Sequence, residues 1–93
     1  MDKNKILNQI TEYIGVLNKS LTETTYSADR IKYQKHLASA SLIVKSLLDD
    51  DMNSLKTVIE DEKRSYGWDY LSGEYGENVE QSFNDLIGIL EKL

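Results

Sequence analysis

Apolar residues recur along this chain with a helical period almost throughout. With each residue set about 100° after the last, Tyr13, Ile6, Leu17, Ile10, Leu21, Ile14 and Leu7 fall within one arc of about 120°. That arc predicts an amphipathic helix over residues 3–21. The Thr- and Ser-rich segment LTETTYS interrupts the pattern, and Ser27, followed by Ala28, Asp29 and Arg30, reads as an N-cap with an acid in the first turn. From there Tyr33, Leu37, Ala40, Val44, Leu47 and Leu48 share a broad face, which predicts a second helix over 27–48.

The run Asp49, Asp50, Asp51 places carboxylates at the start of a third helix, where unpaired N–H groups and the helix dipole favour negative charge. Met52, Leu55, Ile59 and Tyr66 line one side of that helix, and Gly67 is placed to end it in a left-handed conformation. After a connection containing Gly73 and Gly76, the residues Tyr75, Val79, Phe83, Leu86, Leu90 and Leu93 lie within about 80° of arc. The predicted helices are thus about 3–21, 27–48, 51–66 and 75–92. Short connections, no alternating strand pattern and no Pro then predict an all-α fold. Its expected form is an antiparallel up-down four-helix bundle in a single helical domain, 1–93.

Composition narrows the function classes. The 93 residues include 16 Asp plus Glu against 11 Lys plus Arg, no Cys and one His. A chain of this length buries about 60–65% of its unfolded surface, enough for one core without a disulfide or metal staple. Without Cys there is no thiolate metal site, and no reason to expect an oxidising compartment. The N-terminal residues lack the unbroken apolar core and small-residue cleavage site of a signal peptide, and no run approaches the ~18–20 apolar residues that span a bilayer. The expected setting is cytoplasmic, without a membrane partner. Net charge is +1 over residues 1–21, zero over 22–50 and −6 over 51–93. An acidic domain is a poor ligand for phosphate backbones, so no nucleic-acid partner is expected. The plainest role of the acidity is a solvated face that keeps a small protein soluble.

Formal motifs fail on their chemistry. Asp49 to Asn53 with Glu60 mimics a calcium-loop ladder, yet Ser54 stands where the loop needs Gly and Lys56 where it needs an apolar residue. Di-iron bundles require Glu-x-x-His on two helices, and Tyr33 precedes the only His at that offset. One His without Cys leaves too few ligands for zinc. No nucleophile elbow or glycine-rich phosphate loop is present, and Asn18-Lys19-Ser20 fits a glycosylation sequon only formally. No metal, cofactor or catalytic residue is therefore expected.

Three features depart from a plain bundle. Residues 66–75 hold four of the chain's eight aromatics, and Trp68, Asp69, Tyr70, Glu74 and Tyr75 are candidates for a protein-binding surface, acidic and suited to a basic partner. The competing reading folds Trp68, Tyr70 and Leu71 back as a cap on the bundle. Glu62 falls on the inner face of helix three between Ile59 and Tyr66, where a carboxylate must be paired or hard to ionise. If helices two and three fold back about residue 50, facing residues sum to roughly 100, setting Glu62 within a turn of His36. Glu62, His36 and Tyr66 are thus pocket candidates, against a purely structural contact of Glu62 with His36 or a Tyr hydroxyl. Finally, Ile31, Ala38 and Leu42 form a small apolar stripe opposite helix two's main face, near Lys32, Lys35 and Lys45. Either the aromatic connection or another chain is expected to cover it, which makes these residues oligomer-interface candidates.

In size, acidity and helix count the chain resembles small bacterial immunity proteins and antitoxin-like inhibitors, a likeness of fold and charge that no residue motif carries. The expected function is a small acidic, non-enzymatic protein-binding module, immunity-, inhibitor- or adaptor-like by analogy, whose partner is another protein with a basic surface. The alternatives are a small-ligand or enzymatic pocket around Glu62, His36 and Tyr66, and a structural homo-oligomer, such as a homodimer, through helix two.

Overall fold

Helical hydrogen bonding takes hold where the apolar period demands it, in α1 (Lys3–Glu23), α2 (Ser27–Leu48), α3 (Met52–Trp68) and α4 (Gly73–Leu90). The structure, a computed structural model, describes residues 3–25, 27–68 and 73–91, and contains no strand among them. The fold is all-α. α1 packs against both α2 and α4, and α2 packs against α3. One core joins Ile6, Ile10, Tyr13 and Leu17 of α1, Tyr33, Ala40, Ile43 and Leu47 of α2, Leu55 of α3, and Val79, Phe83, Leu86, Ile87 and Leu90 of α4.

The buried side of α2 is turned from its expected position. His36 and Ile43 are fully buried, Leu37 and Val44 are only half-buried, and Leu48 is 64% exposed. Because α2 is held between α1 and α3, its inner face follows the line joining those two helices rather than the centre of its own apolar residues. A polar side chain sits on that line, and a wheel that counts only apolar positions leaves it at the edge.

Gly67 also departs from expectation, since α3 runs through it to Trp68 and α4 begins at Gly73. A helical glycine costs about 1 kcal/mol relative to alanine but keeps both backbone hydrogen-bonding groups, so it weakens a helix without ending it. The connection is correspondingly shorter than residues 67–75.

The turn between α2 and α3 shows why no calcium loop forms at Asp49–Glu60. The Asp51 N–H donates to the Ser46 carbonyl (2.9 Å) and the Asp50 N–H to the Leu47 carbonyl (3.3 Å), a Schellman closure of α2. Asp50 takes the left-handed position, φ 55°, where glycine is usual. Asp51 then caps α3: its carboxylate accepts the Ser54 N–H (3.0 Å) and the Ser54 hydroxyl (2.7 Å). The Ser54 hydroxyl, then its N–H, hold the Asp51 carboxyl below its usual range. Helix begins at Met52, so the would-be ligands at Asn53 and Glu60 stand on a helix.

Asp50 also pairs with Lys3 at the start of α1, an exposed contact that salt screens. Left-handed backbone costs a β-carbon-bearing residue of order 1 kcal/mol that glycine avoids. In about 0.5 M salt, Asp50→Gly is therefore expected to raise stability by about 0.5–1 kcal/mol. Urea unfolding checks this, and a lower midpoint would mean that the Asp50 side chain holds the turn in a way the Lys3 pair does not express.

At the other end, the Arg30 guanidinium donates to the carbonyls of Leu21 (2.8 Å) and Thr24 (3.3 Å), closing the C-terminus of α1 from the first turns of α2. Charge is sorted by helix. α2 carries Arg30, Lys32, Lys35 and Lys45 against Asp29, whereas α4 carries Glu74, Glu77, Glu80 and Asp85 and no basic residue. α1 lies between them.

Candidate functional site

Four helices send one polar or aromatic cluster into the core. Each member stands at a core-facing helical position: Tyr13 on α1, His36 on α2, Glu62 and Tyr66 one turn apart on α3, and Phe83 on α4. The Glu62 carboxylate lies 3.0 and 3.2 Å from Nδ1 of His36, and its Oε2 accepts the Tyr13 hydroxyl at 3.3 Å. The Tyr66 hydroxyl meets that of Tyr13 in a hydrogen bond. Tyr13 and His36 are 0% exposed and Glu62 is 1% exposed, so the carboxylate has no access to water. Tyr66 is half-buried.

The donors and acceptors assign themselves. Facing a carboxylate, Nδ1 of His36 is the protonated nitrogen; the Tyr13 proton also goes to Glu62, so the Tyr66 hydroxyl donates to the Tyr13 oxygen. Two donors from different helices thus converge on Glu62. Nε2 of His36 is buried and has no partner among the described residues. Rings stack around this chain of bonds. His36 lies on Tyr66 with centroids 4.3 Å apart and planes at 12°, and Tyr66 lies on Phe83 at 4.3 Å and 22°. Tyr13 meets Phe83 at 5.8 Å, tilted by 45°.

Burial pushes the Tyr13 hydroxyl far above the ordinary phenol range, and the neighbouring Tyr66 and Glu62 push it further. Burial likewise raises Tyr66 strongly, with a contribution from Glu62, against a smaller lowering by its bond to Tyr13. Both phenols are held as neutral donors. A carboxylate-held imidazole with a bare Nε2 has the parts of a general base, but a base must reach its substrate. The grooves at Leu42–Val58, at Glu12–Asp85 and at Met52–Glu91 are lined by other residues. What this arrangement does is fix α1, α2 and α3 in register through directional bonds.

The structure therefore brings Glu62, His36 and Tyr66 together. Tyr13 and Phe83 complete the cluster. The sequence offered a Tyr hydroxyl as a partner for Glu62 without identifying it as Tyr13, although a Tyr in the middle of a core arc needs a partner for its hydroxyl, and it marked Phe83 only as a core residue. Ile31, Ala38 and Leu42 are all exposed on the outer side of α2, Ile31 at 66% and Leu42 at 51%. No described residue covers them. Asp69 and Tyr70 lie outside the described residues, as do the side chains of Trp68, Glu74 and Tyr75, so the aromatic segment is not placed by the structure.

Among the described residues no group of three His, Cys, Asp or Glu side chains is placed to hold a metal ion. None of the described helices is long and apolar enough to cross a membrane. No family model matches the chain, and neither a curated protein nor a solved structure shows significant similarity to it.

Proposed function

We propose that this protein is a small acidic, non-enzymatic module that acts in the cytoplasm by binding another protein. The observation that carries the reading is the exposed apolar row Ile31, Ala38 and Leu42 on α2, which no described part of the chain covers. Isolated exposed apolar residues are ordinary, but three at spacings of seven and four stand on one side of one helix, in the pattern that packs against a partner helix. The fold presents that row rigidly, because the opposite side of α2 is bolted to α3 through His36 and Glu62. The cluster reads as structural support, since it is buried in the core and none of the three grooves, at Leu42–Val58, Glu12–Asp85 and Met52–Glu91, is lined by its residues. The acidity favours a protein over a nucleic-acid partner.

An antiparallel up-down bundle is the arrangement we propose for the four helices. Supporting it, α2 and α3 meet both at the Asp49–Asp51 turn and far from it at His36 and Glu62. Lys63 of α3 reaches Glu91 just beyond α4 (2.6 Å), and the later Tyr66 stacks on the earlier Phe83, as helices of opposite sense require. The aromatic segment Trp68 to Tyr75 remains a second contact candidate.

Affinity capture from the native cell tests the reading, using the wild type, Leu42→Asp and the pair Tyr70→Ala with Glu74→Ala. Leu42→Asp is expected to leave the melting curve within about 0.5 kcal/mol of the wild type, since surface substitutions rarely do more, while the partner is lost. Loss only in the Tyr70 and Glu74 variant would move the contact to the aromatic segment. Unchanged capture by both would overturn the proposal, and a doubled mass in light scattering, abolished by Leu42→Asp, would assign the row to a homodimer.

A further inference from the structure

A second site lies on the other side of the molecule, in the groove between α1 and α4. It has a volume of about 390 Å³, within the range of small-ligand sites, and its walls are Glu12, Val16, Lys19 and Glu23 on α1 and Asn78, Gln81 and Asp85 on α4. Its floor is made by Ser20 and Ser82, which are 2% and 6% exposed. Both stand at core-facing positions that Leu or Ile fills elsewhere on these helices. Two short side chains opposite each other leave the helices touching but the space above them open.

Ser82 is the anomaly. A hydroxyl inside a helix ordinarily satisfies itself on the carbonyl four residues back, and Thr11, Thr22, Ser41, Ser46 and Thr57 all do so here, at 2.8–3.1 Å. The Ser82 hydroxyl does not. Its oxygen is inaccessible to water and has no hydrogen-bond partner among the described residues, at the bottom of a groove that its residue lines. A buried hydroxyl left unpaired carries a desolvation cost that a bound donor or acceptor would relieve.

The charge around it states which kind of group fits. Glu12 and Glu23 stand on one wall and Asp85 on the other, against Lys19 alone, and α4 has no basic residue along its length. Asp85 already accepts an N–H from Gln81 at 3.0 Å, which steadies the carboxylate at the rim. Carboxylates on facing walls, with a hydroxyl acceptor between and below them, suit a flat cation that donates in several directions at once. A guanidinium has five N–H donors in a plane, whereas an ammonium is a compact point charge that serves one wall at a time.

We propose that the α1–α4 groove binds a guanidinium group, its flanks directed to Asp85 and to Glu12 or Glu23 and its edge to the Ser82 hydroxyl, which a change of serine rotamer turns from its closed position into the groove. The inference goes beyond the α2 contact and does not need it, because the groove opens on α1 and α4. Such a group is presented by an arginine side chain of a protein or by a small guanidinium compound.

Amide chemical-shift titration of the full-length protein tests it, with N-acetylarginine methylamide, methylguanidinium and N-acetyllysine methylamide as probes. Saturable shifts confined to residues 12–23 and 78–85 are expected with the first two, and binding of the lysine probe is expected to be several-fold weaker. Tighter binding of the arginine probe than of methylguanidinium marks a protein side chain as the source, and equal binding a small compound. Asp85→Asn, an exposed change that spares the core, and Ser82→Ala are each expected to weaken binding about tenfold, as loss of a hydrogen bond to a charged group does. Shifts that never saturate, that survive both substitutions, or that are matched by the lysine probe would overturn the proposal.

Discussion

Raising the pH above about 10 is expected to unfold this protein, with a steeper dependence than ordinary surface titration gives. The phenols of Tyr13 and Tyr66 are raised well above their normal value of 10.0 because burial penalises their charged forms. In the unfolded chain they ionise normally, so above that pH the unfolded state holds fewer protons than the folded one and stability falls as pH rises. The contribution is intact below about pH 10 and declines from there towards the folded-state values. Each hydroxyl that ionises only on unfolding costs about 1.4 kcal/mol per pH unit. Two of them remove up to about 5 kcal/mol by about pH 12, comparable with the whole stability of a small domain. Tyr66 is only half-buried, so the larger share belongs to Tyr13. Urea unfolding at successive pH values should show more than half of the slope lost in Tyr13→Phe. Both phenolates appearing near pH 10 in a chain that keeps its helical circular dichroism would contradict the buried hydroxyl chain.

His36→Leu is expected to cost about 3–5 kcal/mol, more than the lost imidazole contacts alone. The substitution takes the Nδ1 donor from a carboxylate that is 1% exposed, leaving the long bond from Tyr13 as its remaining partner among the described residues. The cost arises from Glu62, not from position 36. It follows that His36→Leu combined with Glu62→Leu should recover a large part of the loss, because replacing both partners with apolar groups of similar shape removes the stranded charge. Glu62→Gln, which keeps an acceptor oxygen for Tyr13 and Nδ1, should be the mildest change. Denaturant midpoints of the two single variants and the pair give the coupling, expected at about 1–3 kcal/mol. Additive losses would show that the two side chains are neighbours without being partners.

The fold was legible because most of its information is periodic. Ile6, Ile10, Tyr13 and Leu17 repeat at helical intervals, and Val79, Phe83, Leu86 and Leu90 do the same, so the sides of α1 and α4 facing the core follow from counting. α2 was less legible, since two neighbours share it and its buried line includes His36 while leaving Leu48 in water. The meeting of Glu62 with His36 came from chain geometry: a tight turn about residue 50 sets residues equidistant from it side by side. Tyr13 entered the cluster from a different helix, and no spacing in one sequence relates α1 to α3 across the core. Ser82 was hidden for another reason. A lone serine among apolar residues looks the same in sequence whether its hydroxyl bonds back to its own helix or is left unpaired, and only the geometry distinguishes them.

The sorting of charge between α2 and α4 has a kinetic consequence. With a net positive charge on α2, a net negative charge on α4 and α1 interposed, the molecule has an electric dipole directed across its helices as well as a net charge of −5. A charged partner would begin to be turned within about a Debye length, ~8–10 Å at ordinary salt, before any side chain touches. A partner with a basic surface is drawn towards the α4 side and one with an acidic surface towards α2, so the field selects an approach direction that contact alone does not. Salt should therefore act mainly on how fast complexes form, slowing association while leaving the lifetime of the docked complex nearly unchanged.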